Sequence, residues 1–203
     1  TLTLDPELRT AQSLTPGLAR ALAESGWQPS QINLVAVTVG PGSFTGLRIG
    51  VTTAKVFAYA VQCECQGVDT LEVIAAQAPV QQTPALWAVL DAQRQQLFAA
   101  RYQAASGAWH ACGAAAIIDN ETFLAGLEPG SIVTGAGLKR LSQLPEGVAA
   151  VESSHWQPRA ETVGSIAYRD YMAGKRASYW ELAPRYLRAS AAEEKIASTG
   201  KNV

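Results

Sequence analysis

Residues 35–61 decide the fold, and they read VAVTVGPGSFTGLRIGVTTAKVFAYAV. The stretch begins with alternating valines (Val35, Val37, Val39), continues through a loop of Gly, Pro, Ser and Thr, and ends in a long apolar segment. Alternating β-branched residues are typical of a strand, and the pattern after the loop is typical of a helix. A strand–turn–helix unit of this kind presents backbone N–H groups at a helix N-terminus, where an anion can bind.

The loop between strand and helix has the chemistry of a phosphate site or of a tight turn. Gly42 and Gly46 permit positive φ and close approach of a ligand or another chain. We expect Gly42 or Gly46 to require a φ that an L-residue tolerates poorly, so a larger residue there should destabilise the fold. Ser43 and Thr45 carry hydroxyls that can cap the helix or contact a phosphate oxygen. Together with Gly40 these are the possible phosphate contacts; the alternative is a turn that satisfies only its own helix.

Two known phosphate motifs do not match the loop. A P-loop reads GxxxxGK[ST], and Leu47-Arg48 stand where the Lys and the Ser/Thr are required. The dinucleotide fingerprint GxGxxG has a shorter spacing, and Pro41 and Phe44 add bulk where a pyrophosphate would touch the backbone. Asp69 stands at a suitable distance for a ribose contact, but the segment 69–72 (DTLE) has the pattern of a capping box, which favours a helix cap.

Three segments together resemble one known family. They are GPGSFTGLRIG at 40–50, LDAQRQQLFAARY at 90–102 and PRYLRASAAEEK at 184–195. In the same order they are similar to the signature loop, the LDAR…EVY hairpin and the PxYLR segment of the bacterial TsaB (YeaZ) family. The resemblance implies an α/β, actin-like and RNase H-like (ASKHA) fold with two subdomains. It also implies a role in making threonylcarbamoyladenosine at the position 37 adenosine of tRNA.

The resemblance further implies partners and the absence of a cofactor. TsaB proteins are described as pairing with the related ATPase TsaD, with TsaE joining, and as forming a homodimer when alone. ATP would then bind only in complex with partners, if at all. The net charge of −1 gives no electrostatic footprint for RNA, so tRNA contact is expected to be indirect.

The N-terminal residues differ from the family pattern. Family members usually open with a strand of the type ILAxDTS, which this sequence lacks, and Leu2 and Leu4 look like the end of a hairpin. We therefore expect a truncated sequence or unusual numbering, and a fold without the usual first strand. Thr15-Pro16 predicts the start of the first helix and Gly26 its end.

Composition predicts a globular cytoplasmic protein with no membrane partner. The 203 residues are 48% hydrophobic and 16% charged. No apolar run approaches the about 20 residues that a bilayer requires, no signal peptide is visible, and three cysteines do not make a disulfide framework.

A break in composition predicts two subdomains. The polar, proline-containing segment 81–84 separates an N-terminal subdomain (1–80), which holds the glycine loop, from a C-terminal subdomain (81–203). From about residue 189 the sequence is polar, and this tail is expected to be disordered or bound to a partner.

The sequence predicts no metal site. Cys63 and Cys65, expected on opposite faces of a strand, and Cys112 are interpreted as free thiols. His110 and His155 lie in different segments without an HExxH motif, which excludes a zinc protease.

In the second half, Asp91 is the carboxylate of interest. It ends a predicted strand over 86–90, and a return strand is predicted over 97–102. In actin-like ATPases an Asp at such a strand end helps to hold a metal–phosphate group; the alternative is a turn Asp that binds its own backbone. A second glycine turn at 135–137 resembles the adenosine-side loop of actin-like folds.

No residue is predicted to be catalytic. Neither glycine loop has a lysine, and there is no carboxylate cluster for Mg²⁺. The preferred hypothesis is a non-catalytic partner that pairs with TsaD and supports its activity. The alternative is an actin-like ATPase or nucleotide-binding enzyme that uses the glycine loops and Asp91.

The helix after the glycine loop is apolar nearly all round, which predicts a partner interface on it and on the first helix. The expected interface residues are Leu18, Leu22, Val51, Ala54, Phe57, Ala58 and Val61. The alternative is an ordinary core helix packed between a sheet and neighbouring helices.

Overall fold

A computed structural model describes residues 1–5 and 7–188. Within these residues the α-helices are α1 (Thr10–Ser25), α2 (Phe44–Val61), α3 (Thr70–Gln77), α4 (Asn120–Ala125) and α5 (Ala160–Met172). The strands are β1 (Leu34–Gly40), β2 (Glu64–Asp69), β3 (Leu86–Asp91), β4 (Gln96–Ala105), β5 (Ala108–Ala111), β6 (Ala116–Asp119), β7 (Ile132–Thr134) and β8 (Ala149–Ala150). The tail predicted from about residue 189 lies outside the described residues.

The strands form two sheets. β1 and β2 pair in parallel, with Leu34 opposite Glu64, and α2 connects them. The second sheet has the order β5-β4-β3-β7-β8, and β6 pairs with β4. Its centre is the predicted antiparallel hairpin of β3 and β4, while β7 runs parallel to β3. This mixed arrangement confirms the α/β class.

Helices cover the first sheet on both sides, as parallel strands require. The apolar seam of α2 packs with β1 and β2 in one core cluster, whose buried members are Val39, Val51, Ala54, Ala58, Cys63, Cys65 and Leu182. From α5, Val163, Ile166 and Ala167 pack with Val68 and Val73 in another cluster. Cys63, just before β2, and Cys65, within β2, are buried in the same cluster, so their expected opposite placement is wrong. Residues two apart along extended backbone share a face.

The predicted boundary near residue 81 separates the two sheets but not their covering helices. Helix α5 and Leu182, both from the predicted unit 81–203, bury their apolar groups against the first sheet. The position of an amphipathic helix is decided by the surface that buries its apolar stripe, and not by the elements that adjoin it in sequence. Helix α5 therefore packs with the N-terminal sheet.

The first helix begins earlier than predicted. α1 starts at Thr10, where the Gln12 side chain accepts a hydrogen bond from the backbone N–H of Arg9 at 3.3 Å, and Pro16 lies inside the helix. Pro16 removes one backbone hydrogen bond and its ring crowds the preceding turn, yet the helix continues through it to Ser25. Gly26 ends the helix in the left-handed conformation, as predicted.

Residues 1–5 form no strand. Leu2 and Leu4 instead lie over Gly17 of α1, so the expectation that they end a hairpin is wrong. Gly17 is buried and leaves space that the Leu4 side chain fills, which places the N-terminal segment on this helix.

Candidate functional site

The glycine loop (residues 40–46) joins β1 to α2. Its glycine with a strained backbone is Gly40, and not Gly42 or Gly46 as the sequence predicted. Gly40 has φ +124°, and a Cβ there would lie 2.5 Å from the carbonyl oxygen of Arg185. Gly42 and Gly46 have no positive φ, and a Cβ at either would make only ordinary van der Waals contacts. The expectation for Gly42 and Gly46 is therefore wrong. The Gly40–Pro41 peptide bond is cis.

The loop caps its own helix. The Ser43 hydroxyl accepts a hydrogen bond from the backbone N–H of Gly46 at 3.4 Å, so Ser43 is the N-cap of α2. The Thr45 side chain is exposed and makes no hydrogen bond with the described residues. The predicted capping role of Ser43 is confirmed, whereas phosphate contact by the loop stays a prediction.

Residues 180–188, here called the C-terminal strap, cross from the first sheet to the second. The backbone N–H of Arg185 donates to the carbonyl of Val39 at 2.7 Å, next to the glycine loop. The Arg188 guanidinium donates to the carbonyl of Ala92 at 2.7 Å, in the turn after β3. The strap thereby joins the two sheets beside the glycine loop.

An aromatic stack fixes the strap to the start of α2. The rings of Phe44 and Tyr186 are parallel, with centroids 3.9 Å apart. Arg48 lies with its guanidinium carbon 5.0 Å from the Phe44 centroid, and its Nε donates to the Tyr186 hydroxyl at 3.0 Å. Sequence reasoning missed this contact. Its only signal was that an aromatic residue stands in each of two motifs that match the same family.

The three motifs of the sequence analysis line one groove of about 610 Å³, here called the basic groove. Its lining consists of residues 41–45, 91–94, Phe98 and 185–188. Arg94, Arg185 and Arg188 contribute three positive charges, and Asp91 is the only acid among the described residues that line it. A groove of this charge suits an anionic group better than a hydrated divalent cation.

Asp91 is held by its own surroundings. Its Oδ1 accepts from the backbone N–H of Gln93 at 2.7 Å, and its Oδ2 accepts from Arg140 Nε at 2.7 Å. This is the turn role that the sequence left as the alternative. In the part of the chain that the structure describes, no group of three or more His, Cys, Asp or Glu side chains is placed to hold a metal ion.

The second glycine turn is filled by the chain's own backbone. Gly135 has φ +108°, and a Cβ there would overlap the carbonyl oxygen of Val89 in β3. A Cβ at Gly137 would lie 3.0 Å from the Leu90 nitrogen. The turn leads into a short 3-10 helix over Ala136–Arg140, which carries Arg140 to Asp91.

Asp69 caps α3, as predicted. Its Oδ1 accepts from the backbone N–H groups of Leu71 at 2.8 Å and Glu72 at 3.1 Å. Burial raises the pKa of Asp69, although these two hydrogen bonds and the Arg185 guanidinium oppose the shift. Glu72 does not complete a capping box, because its carboxylate pairs with Arg169 at 3.0 Å.

Comparison with known proteins identifies the family. The family model described as "TsaD: tRNA N6-adenosine threonylcarbamoyltransferase" matches residues 8–153. The tRNA threonylcarbamoyladenosine biosynthesis protein TsaB of Escherichia coli is 29% identical over 91% of this chain and 83% of its own length. The chain belongs to this family, on its TsaB (YeaZ) branch.

Other relatives agree with this assignment. TsaB of Bacillus subtilis is 33% identical over 45% of this chain and 40% of its own length. The solved structure of YeaZ from Pseudomonas aeruginosa matches with a TM-score of 0.74 and 26% identity, over 89% of this chain and 86% of that one. The actin-like (ASKHA) fold expected from the sequence is confirmed, and the chain shares the family's connection to threonylcarbamoyladenosine biosynthesis.

The predicted interface residues divide into two groups. Val51, Ala54 and Ala58 are buried in the chain's own core, so their predicted exposure to a partner is wrong. The reason is that α2 lays this seam on β1 and β2. Leu18 is 37% exposed, and Leu22, Phe57 and Val61 are half-buried, so these four stay a prediction.

None of the helices in residues 1–5 and 7–188 has the length and apolarity to span a bilayer.

Proposed function

We propose that this TsaB-family chain is a non-catalytic partner in threonylcarbamoyladenosine modification of tRNA. It pairs with a TsaD-type enzyme in the cytoplasm, TsaE joins the pair, and tRNA contact is indirect. The observation that carries the proposal is the state of Asp91. Both carboxylate oxygens are engaged, one by the Gln93 backbone and one by Arg140, on a fold shared with the TsaD family.

The basic groove supports the same function. Its loop N–H groups and three arginines suit an anion, but one engaged carboxylate does not make a Mg²⁺ site for phosphoryl transfer. A nucleotide would therefore bind this chain only where a partner supplies the remaining ligands. The rival function is ATP hydrolysis by this chain alone.

Steady-state ATP hydrolysis separates these two functions. We expect the purified chain to show no Mg²⁺-dependent turnover above buffer, whether Asp91 is native or replaced in Asp91→Ala. Turnover that requires Mg²⁺ and disappears in Asp91→Ala would replace the proposal by the ATPase alternative.

The outward face of α2 is the surface that supports pairing. Val56 is 61% exposed and Tyr59 is 55% exposed, and the neighbouring α1 adds Leu18. Large apolar side chains that project from adjacent helices are typical of an interface. The pairing surface is therefore the outer side of α1 and α2, and not the buried seam of α2. The same surface serves a homodimer when the chain is alone.

Co-purification with a TsaD-type protein tests this surface. Val56→Glu is expected to abolish capture, because a charge cannot be buried unpaired at an interface. Met172→Glu, at a residue of α5 that is 65% exposed, is the matched control and should leave capture unchanged. Both variants should melt like the parent chain. Equal capture by both variants would move the interface elsewhere, and no capture by the parent would reject the pairing.

A further inference from the structure

A second groove of about 590 Å³ adjoins the basic groove and shares Pro41, Arg185 and Leu187 with it. We call it the tyrosine groove, because Tyr102 of β4 lies in it. One wall is apolar and is formed by alanines and Trp109. The charged residues that line it are Asp69, Glu72, Arg169, Asp170, Lys175 and Arg185, so their formal charges sum to zero. Unlike the basic groove, it offers no excess charge to a phosphate.

Tyr102 is buried, and its hydroxyl has no partner in the part of the chain that the structure describes. The residue is only 3% exposed, and the hydroxyl makes no hydrogen bond to any described residue. The hydroxyl oxygen is not fully enclosed by protein. Because Tyr102 lines the groove, the hydroxyl is open to the groove. Burial and the nearby carboxylates of Asp69 and Glu72 raise the pKa of Tyr102. The hydroxyl therefore stays protonated and can donate a hydrogen bond to a ligand.

Asp69 and Arg185 provide a loosely paired carboxylate and guanidinium in the same groove. Oδ1 of Asp69 is used by the helix cap, whereas Oδ2 has one contact with the described residues, Arg185 Nη1 at 3.6 Å. This distance is too long for a hydrogen bond. The Arg185 side chain is 68% exposed, and its backbone is fixed to Val39. The exposed Arg185 side chain can therefore shift to admit a ligand that contacts both groups, and no close ion pair has to break.

The other charged groups of the groove are already satisfied by one another. Arg169 contacts Glu72 at 3.0 Å and Asp170 at 2.8 Å, and Lys175 contacts Asp170 at 3.1 Å. Apart from the exposed His110 ring, whose Nε2 lies 3.1 Å from the carbonyl oxygen of Ala105, what remains is one phenol donor, one carboxylate oxygen and one guanidinium. The complement of this set is a group that carries one carboxylate and one ammonium on adjacent atoms.

We propose that the tyrosine groove binds an amino acid or amino-acid derivative through its zwitterionic head. The ligand's carboxylate accepts from the Tyr102 hydroxyl and the Arg185 guanidinium, and its ammonium donates to Asp69 Oδ2. The ligand side chain lies along the apolar wall, which includes Trp109 and Ala100. This site does not depend on the pairing proposed above, and it places a small-molecule site next to the glycine loop.

Calorimetric titration of the whole chain with a panel of single L-amino acids tests the site. We expect saturable binding of at least one member of the panel. Its N-acetyl derivative lacks the ammonium, and its amide lacks the carboxylate. Each should bind about tenfold more weakly or not at all, which is the usual scale for one lost charged hydrogen bond. No saturable binding by any member would show a water-filled groove and overturn the proposal.

Tyrosine variants locate the binding. Tyr102→Phe removes only a hydroxyl that has no partner among the described residues, so the chain should stay as stable as the parent and lose about tenfold in affinity. The matched control is Tyr168→Phe, at an exposed position on α5, and it should bind like the parent. Equal affinity of the parent chain and Tyr102→Phe, or equal binding of the amino acid and its amide, would overturn the assignment.

Discussion

The two glycine turns of this chain look alike in sequence but do different things in the structure. Both follow a strand, and in both a glycine has a strongly positive φ, +124° at Gly40 and +108° at Gly135. Gly40 is buried beneath the C-terminal strap, which is itself largely exposed, and it leads into the 18 residues of α2. Gly135 lies against the central strand β3 and leads into a short 3-10 helix.

The difference shows what such a turn is for. The first turn opens onto the basic groove, with a long helix behind it and backbone N–H groups at its start. The second turn packs backbone against backbone and leaves no comparable opening. Glycine in a turn therefore has two separate uses, to let a ligand or segment approach and to let two strands of the same chain touch. The four predictions below separate these uses.

The largest effect is expected at the second turn. Gly135→Ala puts a methyl group into the Val89 carbonyl and forces an L-residue into positive φ, and neither strand can move without disturbing the sheet. We expect a loss of about 3 kcal/mol or more in the free energy of unfolding, measured by urea denaturation. A loss below about 1 kcal/mol in the free energy of unfolding would show that the backbone of β3 can shift to make room for the added methyl group.

Gly40→Ala should cost less, about 2 kcal/mol, because the strap that it meets lies at the surface and can shift. Gly42→Ala is the matched control two residues away, and it should cost under about 1 kcal/mol because a Cβ there has ordinary space. Urea denaturation of both variants gives the comparison. If both variants lost the same free energy of unfolding, the backbone strain would not be specific to Gly40, and Gly42 would be under strain as the sequence predicted.

Asp91→Asn tests the ion pair that joins the second turn to the β3–β4 hairpin. The amide oxygen can still accept from Gln93, but the charge on Arg140 loses its partner. The Arg140 side chain is largely exposed, so we expect a loss of only about 0.5–1 kcal/mol in thermal or urea unfolding. In high salt the difference from the parent chain should shrink, whereas a loss that salt leaves unchanged would point to the turn instead.

The smallest effect is expected at the cap of α2. Ser43→Ala removes an accepting hydroxyl whose hydrogen bond to Gly46 is long, so the loss should lie near about 0.5 kcal/mol. Thr45→Ala is the control, since its hydroxyl has no partner among the described residues and should change nothing measurable. A loss that is larger for Thr45→Ala than for Ser43→Ala would contradict the capping assignment.

Local patterns in the sequence predicted much of the fold. The strand–turn–helix unit at 35–61, the β3–β4 hairpin, the end of α1 at Gly26 and the Asp69 cap all follow from residues close together in the chain. Each depends on backbone hydrogen bonds and periodicity that a short window contains. The family resemblance was confirmed for the same reason, since its motifs are local.

Contacts between distant segments could not be predicted in the same way. An apolar helix can face a sheet or a partner, and only the sheet's position shows that Val51 and Ala58 are core residues. The strain at Gly40 depends on Arg185, which lies in the strap and far along the chain. Likewise, nothing near Asp91 in sequence indicates its pairing with Arg140. These features are set by the packing of the finished chain.

The C-terminal strap also has a consequence for synthesis. Its contacts with Val39, Phe44 and Ala92 join residues that are far apart in sequence, so they form only after nearly all of the described chain has been made. Long-range closures of this kind are slow because ordering the intervening chain comes first. A nascent chain that has reached residue 175 can have both sheets but an open groove and an uncovered Gly67, which Leu182 later covers. Among the described residues, the C-terminal strap and the basic groove that it helps to line are therefore expected to form last.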